Sequence, residues 1–485
     1  MIRPTIKLLS DTTIERVIAE AYALLRDPGV RVHSDEALSL LGDAGAEVDL
    51  ATRVVRIPAG LVDRAVETAP SSFHLYSTEG EPVVHYGGDD VHFDPGSSTI
   101  YLLDHGAVEA RRPITADFVR YIKLAEMLPE LDAVSTALVC SDIPPEMGDF
   151  YRLYLVLSHA IKPVVTGAFD VDTLHIMKDL LAAVAGSEEA LAERPLAVFD
   201  VCPSPPLLWS NITCSNLMDL ARYSIPAELV SMPLVGATGP ATLIGAVVQH
   251  AAETLSGIVI HQLVKPGAPI VWGGAPTVFD MRTGAPPTGA IETMMFDLGY
   301  VEVGKYLEIP THTYMAVSDS KLVDAQSGFE SGIGAVLAIM GGVNMVSGPG
   351  LMDFDSCFSL EKMVVDCDII AMARRLARGI NASEESLGEE VIRRVGHKGK
   401  FMADKHTKQW FRQEVTMPSP VTERHYRETW LEQGAKDTAQ RAHERAEQLI
   451  AAYEPRVPAE VQKALAAMTL RAGRAYGLDE LPPLA

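Results

Sequence analysis

The residues best placed to do chemistry lie in short segments rich in Gly, Pro and Ser that follow β-type apolar runs. One is Ser318-Asp319-Ser320-Lys321-Leu322-Val323-Asp324-Ala325-Gln326-Ser327-Gly328, where Asp319 and Asp324 are the best-placed carboxylates. A loop aspartate also bonds its own backbone N–H groups, so both roles stay open. Comparable segments begin at Cys202, Val235, Gly274 and Gly348. Their small residues let backbone approach a ligand closely but supply few groups for acid–base work. Aromatic residues make up only 6% of the chain, yet Trp209, Trp272, Phe279, Tyr314, Phe354 and Phe358 fall in or beside these segments. Aromatic faces around a quaternary ammonium attract it at roughly 0.5–2 kcal/mol per ring. The alternative for each ring is to pack in the core.

Other chemistries lack their parts. The five cysteines, Cys140, Cys202, Cys214, Cys357 and Cys367, form no C-x-x-C pair, and no histidine neighbours them as a zinc ligand set would require. The segments that follow the runs hold no G-x-S-x-G elbow, and no Walker loop occurs. Val346-Ser347-Gly348-Pro349-Gly350 resembles a phosphate cradle, but Pro349 removes an N–H that the cradle would use.

The formal net charge of −23 disfavours nucleic acid and anionic membranes as partners. The same charge attracts cationic substrates over distance, or simply keeps the chain soluble. The start of the chain has no apolar signal segment, and no uninterrupted run of about 18 apolar residues appears. A cytoplasmic protein is expected, as is a homo-oligomer.

The elements that must position these residues follow a pattern. Ile14, Val17, Ile18, Ala21, Leu24 and Leu25 mark a first helix, capped by Thr12 or Thr13. A short helix over 35–43 follows, then strands near 54–57, 73–76, 82–84 and 91–93 that read as antiparallel. From about residue 115, runs at 133–139, 163–169, 196–201, 227–233, 269–273, 311–317 and 343–347 alternate with helical segments at 149–160, 173–185, 207–221, 241–264, 289–307 and 328–341. Strict alternation implies a parallel sheet. With an eighth strand near 100–103 it fits a (β/α)8 TIM barrel, whose site lies at the carboxyl ends of the strands. An open doubly wound sheet would need a G-x-G-x-x-G turn, which is absent. The expected division is an N-terminal α+β region over 1–105, the barrel over 106–390, and C-terminal helices over 391–485. Those last helices include one long exposed helix over 422–453, broken by Pro455 and Pro458.

The residues from Ser318 to Glu330 resemble the D-x-K-x-x-D-x-Q-x-G-x-E signature of the trimethylamine methyltransferase family. Similar too are Phe93-Asp94-Pro95-Gly96-Ser97-Ser98, Thr115-Ala116-Asp117, Gly341-Gly342-Val343-Asn344, Gly348-Pro349-Gly350, Ser359-Leu360-Glu361-Lys362-Met363-Val364-Val365-Asp366, Gly399-Lys400-Phe401, His406-Thr407 and Trp430, in the family's order over nearly the whole chain. The resemblance implies a barrel enzyme that passes a methyl group from a methylated amine to the cobalt of a separate corrinoid (cobalamin) protein. It implies no tightly bound cofactor and no metal on the chain itself. Founding members carry pyrrolysine late in the barrel. Here 314–320 holds ordinary residues, as in the branch that uses quaternary amines such as glycine betaine, proline betaine and carnitine. On this reading Trp209, Tyr314, Phe354 and Phe358 contact the ammonium. Gln326 and Ser347 bond a substrate carboxylate or water, and Asp319 orders its loop or adds negative field. No general base is required. The resemblance also implies a histidine near Ser347 in many betaine users; this chain has none there, which speaks against glycine betaine itself. Two other readings remain: a barrel methyltransferase using zinc or another acceptor, and a non-catalytic paralogue that binds a quaternary amine.

Overall fold

The computed structural model describes residues 3–96 and 98–484, so Ser97 of the Phe93–Ser98 motif lies outside the described residues. The protein is an α/β fold. Eight mutually parallel strands organise it: β1 (His92–Asp94), β2 (Val134–Ser135), β3 (Val164–Gly167), β4 (Ala197–Val201), β5 (Ala227–Ser231), β6 (Ile270–Gly274), β7 (His312–Tyr314) and β8 (Met345–Ser347). Neighbours in sequence are neighbours in space from β2 to β6 and from β7 to β8, and β8 pairs with β1. A parallel bridge between Trp272 and Thr311 joins β6 to the start of β7. Between β1 and β2, the Asp132 N–H donates to the Phe93 carbonyl at 2.8 Å, and a parallel bridge links Thr99 to Leu138.

Four expectations from the sequence need correction. The strand near 100–103 exists as Tyr101–Leu102, but it pairs with Cys357–Phe358 beside the eight. The parallel strand is instead His92–Asp94, which had read as part of an antiparallel region. A three-residue strand offers no alternation to distinguish the two. The long helix over 422–453 is two helices, Arg427–Glu432 and Thr438–Ala451, separated where Gly434 and Ala435 take positive φ. The first helix, Asp11–Arg26, is capped by Ser10, whose hydroxyl accepts the Thr13 N–H.

The antiparallel hairpin Phe73–Tyr76 with Pro82–Tyr86 forms as expected. Its Leu75, Val84 and Tyr86 pack against Ala133, Val165, Val198, Val271 and Met345 from β2, β3, β4, β6 and β8 and the segments that lead into them. The hairpin therefore seals one end of the parallel strands with an apolar plug. Helix Leu243–Val264 is long and apolar enough to span a membrane by composition alone, but 78% of its apolar window is buried in the fold. Helices Asp11–Arg26 and Ala59–Thr68 of the N-terminal region cover it.

Candidate active site

One step along the strands from the plug the lining turns polar. The Tyr86 hydroxyl donates to Glu228 Oε2 at 3.1 Å. Glu228 Oε1 lies 3.2 Å from His312 Nδ1, the nearest polar contact of two otherwise unpartnered atoms, and the Glu228 carboxyl also meets Asp200. His312 Nε2 sits 3.0 Å from Ser347 Oγ, which donates to Asp94 Oδ2 at 2.6 Å. Asp94 Oδ1 accepts the Gly96 N–H at 2.8 Å. Glu228, His312, Ser347 and Asp94 are all 0% exposed. They stand on β5, β7, β8 and β1, and Tyr86 reaches up from the hairpin.

The protons follow from this order. Ser347 has one hydroxyl hydrogen and gives it to Asp94, so it accepts from His312 Nε2–H. Burial holds the His312 imidazole neutral, down to about 3. Its Nδ1 is then an acceptor, and the hydrogen between it and Glu228 belongs to the carboxylic acid. Burial, and next the charge of Asp200, push the Glu228 carboxyl well above the usual range, in agreement. Burial also raises Asp94 to about 7. Gly273 makes room for this pair: a Cβ there would lie 3.0 Å from His312 Nδ1 and 3.2 Å from Glu228 Cγ. Asp200 and Cys202 on and after β4, and Tyr314 at the end of β7, are partly exposed beside the network. The Tyr314 ring meets the His312 ring edge-on, centroids 5.2 Å apart.

Of the residues singled out from sequence, Tyr314 and Ser347 fall together here. Asp319 and Gln326 belong to a second group. Asp319 Oδ1 accepts the N–H groups of Thr288 and Gly289 and the Thr288 hydroxyl. Gln326 donates to Glu330, which also accepts the Asp319 N–H and the Ser318 hydroxyl. Asp324 caps helix Ala325–Gly341. This Asp/Lys/Gln/Glu segment is thus a clamp on the loops at the carboxyl ends of β6 and β7. Desolvation, and then the Asp319 charge, push neighbouring Asp355 to about 7. The Phe354 ring already carries a cation, with Lys321 Nζ 3.8 Å from its centroid. Phe358 is buried edge-on against Tyr121. Trp209 is buried and makes other contacts: its Nε1 donates to Ser256, its ring fills the space over Gly257, and its strand pairs with Val30–Val32 of the N-terminal region. Trp272 is also buried, its Nε1 donating to the Tyr300 carbonyl.

Comparison with known proteins gives this arrangement a setting. The family model "Trimethylamine methyltransferase (MTTB)" matches residues 2–477. The chain belongs to the trimethylamine methyltransferase family. It is 30% identical to trimethylamine methyltransferase MttB of Desulfitobacterium hafniense (strain DSM 10664 / DCB-2) over 470 residues, covering 97% of this chain and 94% of that one. It is 27% identical to the glycine betaine methyltransferase of Desulfitobacterium hafniense (strain Y51) over 479 residues, covering 98% of each. The crystal structure of the Methanosarcina barkeri monomethylamine methyltransferase shares the fold at a TM-score of 0.55 and 12% identity, covering 92% of this chain and 88% of that one. The chain is a methyltransferase.

Sequence reasoning passed over Asp94, Asp200, Glu228 and His312 of this methyltransferase as ionisable groups. A signal was present for two of them: Asp200 and Glu228 each interrupt a short apolar run, as in Ala227-Glu228-Leu229, whereas His312 lies between two threonines. Strands of a parallel sheet are covered on both faces, so an acid there must have a partner or a task. His312 of the neighbouring strand meets Ser347 although the two are 35 residues apart in sequence.

Proposed function

We propose that this methyltransferase takes a methyl group from a quaternary or tertiary methylated amine, with betaines as the leading class, and passes it to the cobalt of a separate corrinoid protein. The parallel strands then form a closed eight-stranded barrel that begins at His92, flanked by an N-terminal α+β region and C-terminal helices. The hydrogen bonds between Phe93 and Asp132 support closure. The acid-lined interior, with Glu228 and His312 early in their strands and Asp94 and Ser347 at the carboxyl ends of theirs, is the observation that supports the substrate class. Buried carboxyls and the Tyr314 ring suit a quaternary ammonium best, since it offers positive charge and no N–H to bond.

The chemistry asks little of the protein beyond position. The C–N bond breaks with its electron pair staying on nitrogen, so a quaternary ammonium leaves as a neutral amine. A corrinoid cobalt(I) would supply the pair for the new bond; with a quaternary donor that step needs no proton, whereas a tertiary amine must first be protonated to leave as a neutral amine. Holding the two centres in line is the main contribution. The arriving cation draws Asp94, poised near 7, to its charged form. Neutral His312 and protonated Glu228 hold Ser347 and Asp94 in place. The Asp319–Glu330 clamp fixes the loops around the opening, which leaves Gln326 and Asp319 positioning those loops, and Phe354 supporting Lys321. Trp209 and Phe358 shape the core that carries them. The enzyme works in the cytoplasm, as a homo-oligomer.

The test is to mix the protein with reduced corrinoid protein, or with free cob(I)alamin, and a panel of betaines, carnitine and methylated amines. Conversion of the cobalt(I) spectrum to methylcobalt(III) with a quaternary or tertiary amine is the expected result. Amine binding by calorimetry without conversion under any condition would instead favour the non-catalytic paralogue.

A further inference from the structure

The motif segment Ser359–Asp366 is only partly explained by the site. Lys362 and Asp366 form a buried ion pair at 2.5 Å, and Asp366 accepts the Gly350 N–H. Glu361 turns the other way. It is 6% exposed; Oε2 takes the Ser359 hydroxyl at 3.0 Å, and Oε1 lies 2.9 Å from His443 Nδ1. The imidazoles of His105 and His443 stack with centroids 4.1 Å apart and planes 7° from parallel. One ligand atom from each of His105, Glu361 and His443 lies within 4.8 Å of the others. The three come from the segment after Tyr101–Leu102, helix Leu360–Ala377 and helix Thr438–Ala451, none of which supplies the interior polar network.

We propose that His105, Glu361 and His443 bind one zinc-class dication that fastens helix Thr438–Ala451 to the strand-bearing part of the fold. Two imidazoles and one carboxylate are a donor set for zinc, cobalt or nickel, whereas magnesium and calcium take oxygen ligands. Ligation at roughly 2.0–2.1 Å asks the three donors to close in. The exposed His105 and the half-buried His443 can do so by turning their rings out of the stack toward the buried Glu361. The Ser359 hydroxyl fixes the Glu361 carboxylate, as outer hydrogen bonds do at metal sites. With three protein ligands and His105 at the surface, water completes the shell.

The experiment uses the full chain, stripped with a chelator and titrated with Co2+ alone. The expected result is visible ligand-field bands that saturate at one equivalent, are erased by added zinc, and come with a raised thermal midpoint. His105→Ala removes an exposed side chain and should leave the metal-free melting point unchanged while weakening Co2+ binding about tenfold or more. Glu361→Gln should weaken it likewise. His85→Ala, in the separate group formed by His74, His85 and Asp90, should have no effect. Absence of the bands would overturn the proposal. So would bands that survive both His105→Ala and Glu361→Gln, or that vanish in His85→Ala.

Discussion

The two ends of the parallel strands are built from the same alternation and filled oppositely. At one end Ala133, Val165, Val198, Val271 and Met345 meet the hairpin residues Leu75 and Val84 in an apolar plug. A step further along, Asp94, Glu228, His312 and Ser347 replace them with a continuous hydrogen-bonded chain, equally buried. Tyr86 belongs to both, its ring in the plug and its hydroxyl on Glu228. The plug spends no specificity and supplies stability; the polar layer is tolerated only because each member has a partner. Division of a parallel-strand fold into a stabilising end and a chemical end is the general expectation, and here the two meet directly: Glu228 pairs in register with Val271 and His312 with Met345.

The sharpest way to break this contrast is to put the chemistry of one end into the other. Val198→Asp places a carboxyl with no partner in the plug, a cost of several kcal/mol against a total stability of about 5–15. The variant is expected to fail to fold, seen as loss of soluble protein and of the cooperative melting transition. Next in size is Glu228. Glu228→Ala strands His312 and the Tyr86 hydroxyl and should cost about 2–4 kcal/mol in urea unfolding, along with most of the methyl transfer. Glu228→Gln keeps a donor for His312 Nδ1 and an acceptor for Tyr86, so it should cost less than about 1 kcal/mol. Equal losses in the two variants would mean that Glu228 is ionised at rest and that the proton order is wrong.

Titration distinguishes the ends more gently. Asp94 is raised to about 7, above its unfolded value near 3.9, so its contribution is fully present below about pH 4 and is lost as pH rises through 7. His312 is lowered to about 3, so its contribution is present above about 6.5 and is lost as pH falls toward 3. Wild-type stability should therefore drop by about 1 kcal/mol between pH 6 and pH 8 on account of Asp94, and Asp94→Asn should flatten that limb. Substituting Val165 by Ala in the plug should lower the whole curve without changing its slope. The smallest effect is expected outside both ends: Lys321→Met removes the cation over Phe354 and should cost about 0.5–1 kcal/mol. A marked gain in affinity for a quaternary amine in that variant would restore Phe354 as a contact.

Much of the fold was legible because helices and strands alternate with different periods. The runs at 163–169, 196–201, 227–233 and 269–273 contain the strands Val164–Gly167, Ala197–Val201, Ala227–Ser231 and Ile270–Gly274. His92–Asp94 was misassigned because pairing partners, not local pattern, decide whether three residues are parallel or antiparallel. For the site, a segment rich in polar residues drew attention to Asp319, Asp324 and Gln326; the bonds of Asp324 and Gln326 stay within the segment, while Asp319 reaches back to Thr288 and Gly289. Trp209 was drawn in by its place after an apolar run. Its burial against Ser256 and Gly257 depends on a helix about 45 residues further on, which local composition does not reveal.

The order of the residues alone determined the alternating elements, the acidity, the absence of nucleophile and nucleotide motifs, and the likeness to a methyltransferase family. These depend on side-chain period and on short spacings, which a linear chain displays directly. Tertiary structure alone decided that Glu228 meets His312, that His312 meets Ser347, and that Ser347 meets Asp94, contacts spanning up to 253 residues. Strand register sets those meetings, and register arises only when the whole sheet assembles and buries its faces.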